Sequence, residues 1–228
     1  MRRSNVLLRE FSVLLNRWQQ RVHAATISTA LPFGVGALTV YCERNLEPDA
    51  QLLAQKVASA LDLIRGVGGV HDARIQRIRP SILVKRAGSS SYWAESNTCV
   101  LDLHTVKSGN PSSIALKIVH ESTHAALLKR GIPWSEELFD RVERICLRRE
   151  IAFCRALEKL GYGVSERIEW YKRRVKGSFY TPELRHLHRI RSARAYGMPD
   201  WYIKVLEYIG RSPRVGRLAN QPKDGDTS

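Results

Sequence analysis

Cysteine is scarce in this sequence, and its spacing excludes more than it suggests. Cys42, Cys99, Cys146 and Cys154 form no CxxC pair. On a shared helix, Cys146 and Cys154 would stand about 12 Å apart, too far for a disulfide. A small secreted disulfide scaffold is therefore excluded, and a reducing, cytoplasmic compartment is the expectation. Acidic residues are also short: 22 Asp and Glu against 37 Lys and Arg leave a formal charge of +15. That balance favours an acidic partner, whether nucleic acid, an anionic membrane face or an acidic peptide. Long apolar runs are missing too. Residues 24–42 carry no formal charge and come near the length of a bilayer span. Thr, Ser, Gly and Pro interrupt that stretch, so it reads as a turn entering a strand, with a membrane span as the alternative. No internal repeat is present, and "GVGG" lacks the spacing of a phosphate-binding loop.

What remains is an ordinary globular composition of 228 residues, enough for one domain with a sizeable core. The opening "MRRSNVLLREFSVLLNRWQQRV" places Leu7, Phe11, Leu14, Leu15 and Trp18 on one side of a helix. Such a helix docks on the protein's own core or lies on a membrane surface. Residues 1–36 are accordingly an amphipathic arm, 37–210 the domain, and 211–228 a polar, Pro- and Gly-rich tail of disordered type.

Within the domain, "GALTVYCER" and "RPSILVKRAG" read as strands, and "EPDAQLLAQKVASALDLIRGVGG" as a helix. "SSSYWAESNTCVLDL" is extended. "SGNPSSIALKIVHESTHAALLKRG" is a helix with Asn110 as cap, Pro111 in the first turn and Gly131 as stop. A longer helix follows, capped by Ser135 and stopped by Gly161. Beyond it lie a basic region, a helix opened by Thr181 and Pro182, and another after Pro199. The class is α+β, with helices packed on a small sheet.

The stretch "HESTH" carries the chemistry. On a helix His120 and His124 lie about 40° apart and can present two imidazoles to one ion. Glu121 is rotated about 100° from His120 and about 60° from His124, beside the pair, where a general base would stand. Zinc accepts such imidazoles and lowers the pKa of bound water to about 7. A third protein ligand is needed. The extended motif HExxHxxGxxH is excluded, because Leu127 and Arg130 stand at its later positions. The next helix supplies two carboxylates within an apolar face: Glu150 lies about 20° from Glu143, flanked by Phe139, Cys146, Leu147, Cys154 and Leu157. A carboxylate goes inside when a cation pairs with it or a metal takes it. Glu150, deeper in the helix, is favoured as the ligand; Glu143 is the alternate, or the partner that orients a histidine.

This arrangement resembles the gluzincin group of zincin metallopeptidases, and the minigluzincins in particular, over roughly residues 50–160. The resemblance implies a zincin-like fold whose edge strand, in "YWAESNTCVLDL", lies beside the metal helix and pairs with an extended peptide substrate. It also implies Zn2+ on His120 and His124 with Glu150 provisionally third, Glu121 as base, and hydrolysis of peptide bonds in a peptide or protein substrate. The segment "RREIAFC" departs from the family's third-ligand signature. Candidates to stabilise an oxyanion come from the C-terminal region: Tyr180, His186, His188 and Tyr196. On a helix His186 and His188 point about 200° apart and make no metal pair. Asp102 and His104 either line the cleft or lie in a solvated loop. Two other readings compete. One is a nucleic-acid-binding protein using "YKRRVKGSFY", which interleaves bases with aromatics. The other is a zincin fold without activity.

Overall fold

The computed structural model describes residues 17–18, 20–132, 138–176, 186–187, 190, 193–194 and 198–210. It divides the chain into two compact units, Met1–Gly177 and Ser178–Ser228. The larger unit is an α+β fold, as the sequence leads one to expect.

Its sheet begins earlier than the sequence suggests. Residues 31–35, expected in the arm, form strand β1 (Leu31–Val35), which pairs antiparallel with β2 (Leu38–Cys42). Gly36 makes the turn with φ +59°, a conformation that costs a residue without Cβ little. A 3₁₀ turn (Arg44–Asp49), helix α1 (Ala50–Val67) and helix α2 (Gly69–Ile78) then carry the chain over to β3 (Ser81–Lys85). β4 (Ser91–Trp93) and β5 (Thr98–Asp102) complete a five-stranded sheet in the order β1-β2-β3-β5-β4. β3 is parallel to both β2 and β5. Its "ILVK" and the "TCVL" of β5 are buried without alternation, as expected for strands covered on both faces. β4 is an edge strand antiparallel to β5, in the segment where the sequence reading puts one.

Asp102 closes β5 and caps α3 (Leu103–Ser108), accepting from His104 N at 3.1 Å and from Ala87 N and Gly88 N at 3.1 and 2.8 Å. It therefore serves the backbone, and His104 is exposed. Helix α4 (Pro111–Leu128) starts as its sequence dictates: Asn110 accepts from Ser113 N at 2.9 Å and Pro111 occupies the first turn. α4 is nearly surrounded, packing on α1, α2, the β4–β5 end of the sheet and helix α5 (Phe139–Lys159). Tyr92 of β4 packs over Ile78, Ala125 and Ala126. Helix α6 (Ser165–Lys176), which the sequence reading leaves within a basic region, packs on α5 and reaches α4 through Arg167, which donates to Ser113 Oγ at 3.0 Å. Gly131 (φ +74°) follows α4 and Gly161 (φ +85°) follows α5, as expected; Ser135, Thr181 and Pro182 lie outside the described residues.

The described part of the N-terminal segment is helical over 20–29 and docks on the sheet: His23 stacks on Trp93 with centroids 3.7 Å apart. Leu7, Phe11, Leu14 and Leu15 lie outside the described residues. Among the described residues no helix is long and apolar enough to cross a membrane, and 24–42 is a helix end followed by the β1–β2 hairpin. In the smaller unit, helix α7 (Asp200–Gly210) forms after Pro199 as expected, and Glu207 pairs with Arg194 at 2.8 Å. The tail, 211–228, lies outside the described residues.

Two positions generate predictions. A Cβ on Gly109, between α3 and α4, would sit 2.2 Å from the Thr105 carbonyl oxygen. Gly109→Ala is therefore expected to displace the start of α4 and cost about 1–3 kcal/mol in denaturant unfolding. His71 is buried, its Nδ1 has no partner, and burial with Arg74 and Arg149 nearby lowers its pKa from 6.5 to about 4. The unfolded chain then binds the proton more tightly, so stability present above pH 6.5 is lost as pH falls towards 4. His71→Leu is expected to flatten that part of the acid limb relative to wild type in denaturant midpoints measured against pH.

Candidate metal centre

α4 and α5 run antiparallel, and this alone sorts their polar residues into pairs. Going back from His124 to His120 on α4 means going forward from Glu143 to Glu150 on α5. His124 Nε2 lies 3.4 Å from Glu143 Oε1, and His120 Nε2 lies 3.5 Å from Glu143 Oε2. The two Nε2 atoms are 3.1 Å apart. On its other side, His120 Nδ1 meets Glu150 Oε2 at 3.0 Å.

These spacings test whether a metal fits. A tetrahedral zinc with bonds of about 2.0–2.2 Å has ligand-to-ligand edges of about 3.3–3.6 Å. The separations given above come within a few tenths of an ångström of that, the Glu143 carboxylate meeting His124 through Oε1 and His120 through Oε2. Glu143 thus lies beside both Nε2 atoms, whereas Glu150 meets the far nitrogen of His120. Glu150 occupies the place of the carboxylate that fixes a ligand histidine through its far nitrogen. Exposure agrees: the side chains of His120, His124 and Glu143 are 13%, 14% and 17% exposed, so an ion there would reach solvent, whereas Glu150 is sealed at 1%.

Burial alone would depress the His120 pKa, but hydrogen bonds to Glu143 and Glu150 outweigh it and hold the imidazole well above its ordinary value. Burial would likewise raise Glu143, but the same contacts with His120 and His124 hold its carboxyl well below the usual range. Glu121 faces the other balance. It is buried, and desolvation raises its carboxyl against the pull of His120, His124 and Lys117. A raised carboxylate is a stronger proton acceptor.

One neighbour escaped the sequence reading as a donor. Cys146 Sγ and donor atoms of His120 and His124 all lie within 4.8 Å of one another. The thiol is buried, and burial together with Glu143, Glu121 and Glu150 pushes its pKa far up. That thiol would have to lose its proton to bind an ion, whereas the Glu143 carboxylate is held ionised at 3.4 and 3.5 Å from the two histidines. Tyr171 of α6 also escaped: its hydroxyl donates to Glu150 Oε1 at 3.0 Å. The signal for it is the spacing of Val164, Ile168 and Tyr171, all buried in an otherwise charged stretch. Of the candidates for oxyanion stabilisation, Tyr180, His188 and Tyr196 lie outside the described residues, and His186 belongs to the smaller unit.

No protein-family model, curated protein or solved structure matches this chain significantly.

The donor set carries a spectroscopic prediction. Cobalt(II) bound here is expected to show visible bands of a low-coordinate ion without the near-ultraviolet band of a thiolate ligand. A thiolate band that disappears in Cys146→Ser would instead put Cys146 among the ligands.

Proposed function

We propose that this chain is a zinc-dependent hydrolase of peptide bonds, with zinc held by His120, His124 and Glu143 and with Glu121 as general base. The observation that carries the reading is the convergence of two imidazole nitrogens and one carboxylate at the spacing of a zinc ligand triangle. With these three donors a fourth position would be left for water, as in catalytic zinc sites. When bound, zinc polarises the substrate carbonyl and acidifies water. Glu121 then takes the proton of the attacking water and delivers it to the leaving amine. Glu143 lies against both histidines, and Glu150 holds His120 from the other side of its ring. The choice of a peptide bond rests on the resemblance to gluzincins, and it is supported by an edge strand, β4, packed beside α4.

Zinc per polypeptide, measured by elemental mass spectrometry, tests the reading. Wild type is expected to hold close to one zinc, and His124→Ala and Glu143→Ala close to none. Glu150→Ala is expected to bind about 10–100-fold more weakly. Glu121→Gln should keep the metal yet lose hydrolysis of a peptide library by about 10²–10⁴-fold. Wild type that takes up no zinc when the metal is added back would sink the proposal.

A second reading has one specific support. A cleft of about 980 Å³ beside α6 is lined by Lys117, Arg155, Arg167, Lys172 and Arg173 against Glu158, Glu166 and Glu169, together with Trp170, which is 46% exposed and carries Arg174 over its ring at 5.0 Å. Cations beside a half-exposed indole suit a single-stranded nucleic acid. Binding of a labelled oligonucleotide that falls steeply with salt and is indifferent to His124→Ala would favour that function.

A further inference from the structure

Tyr171 belongs to a stretch whose sequence looks like a basic, aromatic surface, yet its side chain is turned inward. It is 7% exposed, and its hydroxyl lies 3.0 Å from Glu150 Oε1. The other oxygen of the same carboxylate meets His120 Nδ1 at 3.0 Å. Three helices thus contribute one link each: α6 the phenol, α5 the carboxylate and α4 the imidazole.

A buried tyrosine hydroxyl needs an acceptor, and satisfying it would be reason enough for an ordinary core contact. The partner here makes the difference. Glu150 is 1% exposed, so water does little to fix its orientation. A carboxylate bound at one oxygen only can pivot about its last torsion, which is broad and two-fold. Bound at both oxygens, it has one orientation, and that orientation points Oε2 at His120 Nδ1. Fixing Nδ1 in turn directs Nε2 towards His124 and Glu143. We propose that Tyr171 is a positioning residue of the metal centre, setting through Glu150 the direction in which His120 offers its Nε2. Burial and Glu150 together push the phenol pKa far up, so the hydroxyl keeps its proton and remains the donor. The inference rests on the zinc reading for its effect on affinity, and on the protein alone for its effect on His120.

Tyr171→Phe tests it, because the ring and its packing stay. Competition with a chromophoric chelator is expected to give a zinc dissociation constant raised about 10-fold, as for other outer partners of metal ligands. In protein stripped of metal, ¹H–¹⁵N NMR is expected to show the His120 Nδ1 proton far downfield and slow to exchange in wild type. In Tyr171→Phe that proton should move upfield and broaden. Glu150→Gln, which keeps the shape of the acceptor but not its charge, should weaken zinc in the same direction. Thermal melts show that each variant is folded before either measurement. An unchanged dissociation constant and an unchanged Nδ1 resonance in folded Tyr171→Phe would overturn the proposal and leave Tyr171 a core residue. If wild type takes no zinc but the resonance still depends on Tyr171, the zinc reading falls and the positioning of His120 stands.

Discussion

The contact on which the rest of the larger unit depends is the meeting of His120 with two carboxylates between α4 and α5. Ionised groups lose several kcal/mol of hydration on entering a protein interior, and the loss is recovered only if each finds partners in good geometry. Glu150 is sealed at 1% exposure, and His120 lies between it and Glu143 with one nitrogen towards each. The antiparallel pairing of the two helices could not slide by a turn without stranding a carboxylate among Cys146, Phe153 and Leu157. Polar residues thereby fix the register of an interface that also holds the apolar cluster of Leu127, Val142 and Cys146.

The rest of the fold holds α4 still for this purpose. Its first turn is fixed by Asn110 and Pro111, its flanks by α1, α2 and α5, and its underside by the β4–β5 edge of the sheet. Thr123, one residue before His124, accepts from Arg74 of α2 at 3.0 Å and itself donates to Val119 O at 2.7 Å. A helix constrained from so many directions can present two imidazoles at a set separation without the ion to organise them. That is the preorganisation a metal site needs if binding is not to cost the ordering of its ligands.

How much of this could be read in the sequence varies with the range of the signal. Local chemistry was transparent: the Asn110–Pro111 start of α4, the spacing of His120, Glu121 and His124, and the buried "ILVK" and "TCVL" strands are visible within a few residues. The choice between Glu143 and Glu150 was not, because a helical wheel ranks depth and says nothing of the neighbouring helix. The short connection that the sequence implies, between a stop at Gly131 and a cap at Ser135, held the missing clue, since it points to an antiparallel hairpin in which the nearer glutamate faces the later histidine. α2 was hidden because Gly68 and Gly69 look like an end, and because its buried face carries His71 and Arg74. Tyr171 was hidden by the charges around it: Arg167, Lys172, Arg173, Arg174 and Lys176 mask the three-residue stripe that turns it inward.

The charge of the chain gains a sense from this placement. A protein of +15 repels free cations at a distance. Yet Glu121, Glu143 and Glu150 gather around two imidazoles within the fold, so the local field at the histidines is opposite in sign to the field outside. At physiological salt the exposed charges are screened beyond about 8 Å, whereas groups this deeply buried are screened much less. An ion close to His120 and His124 therefore responds to the glutamates more than to the arginines on the surface.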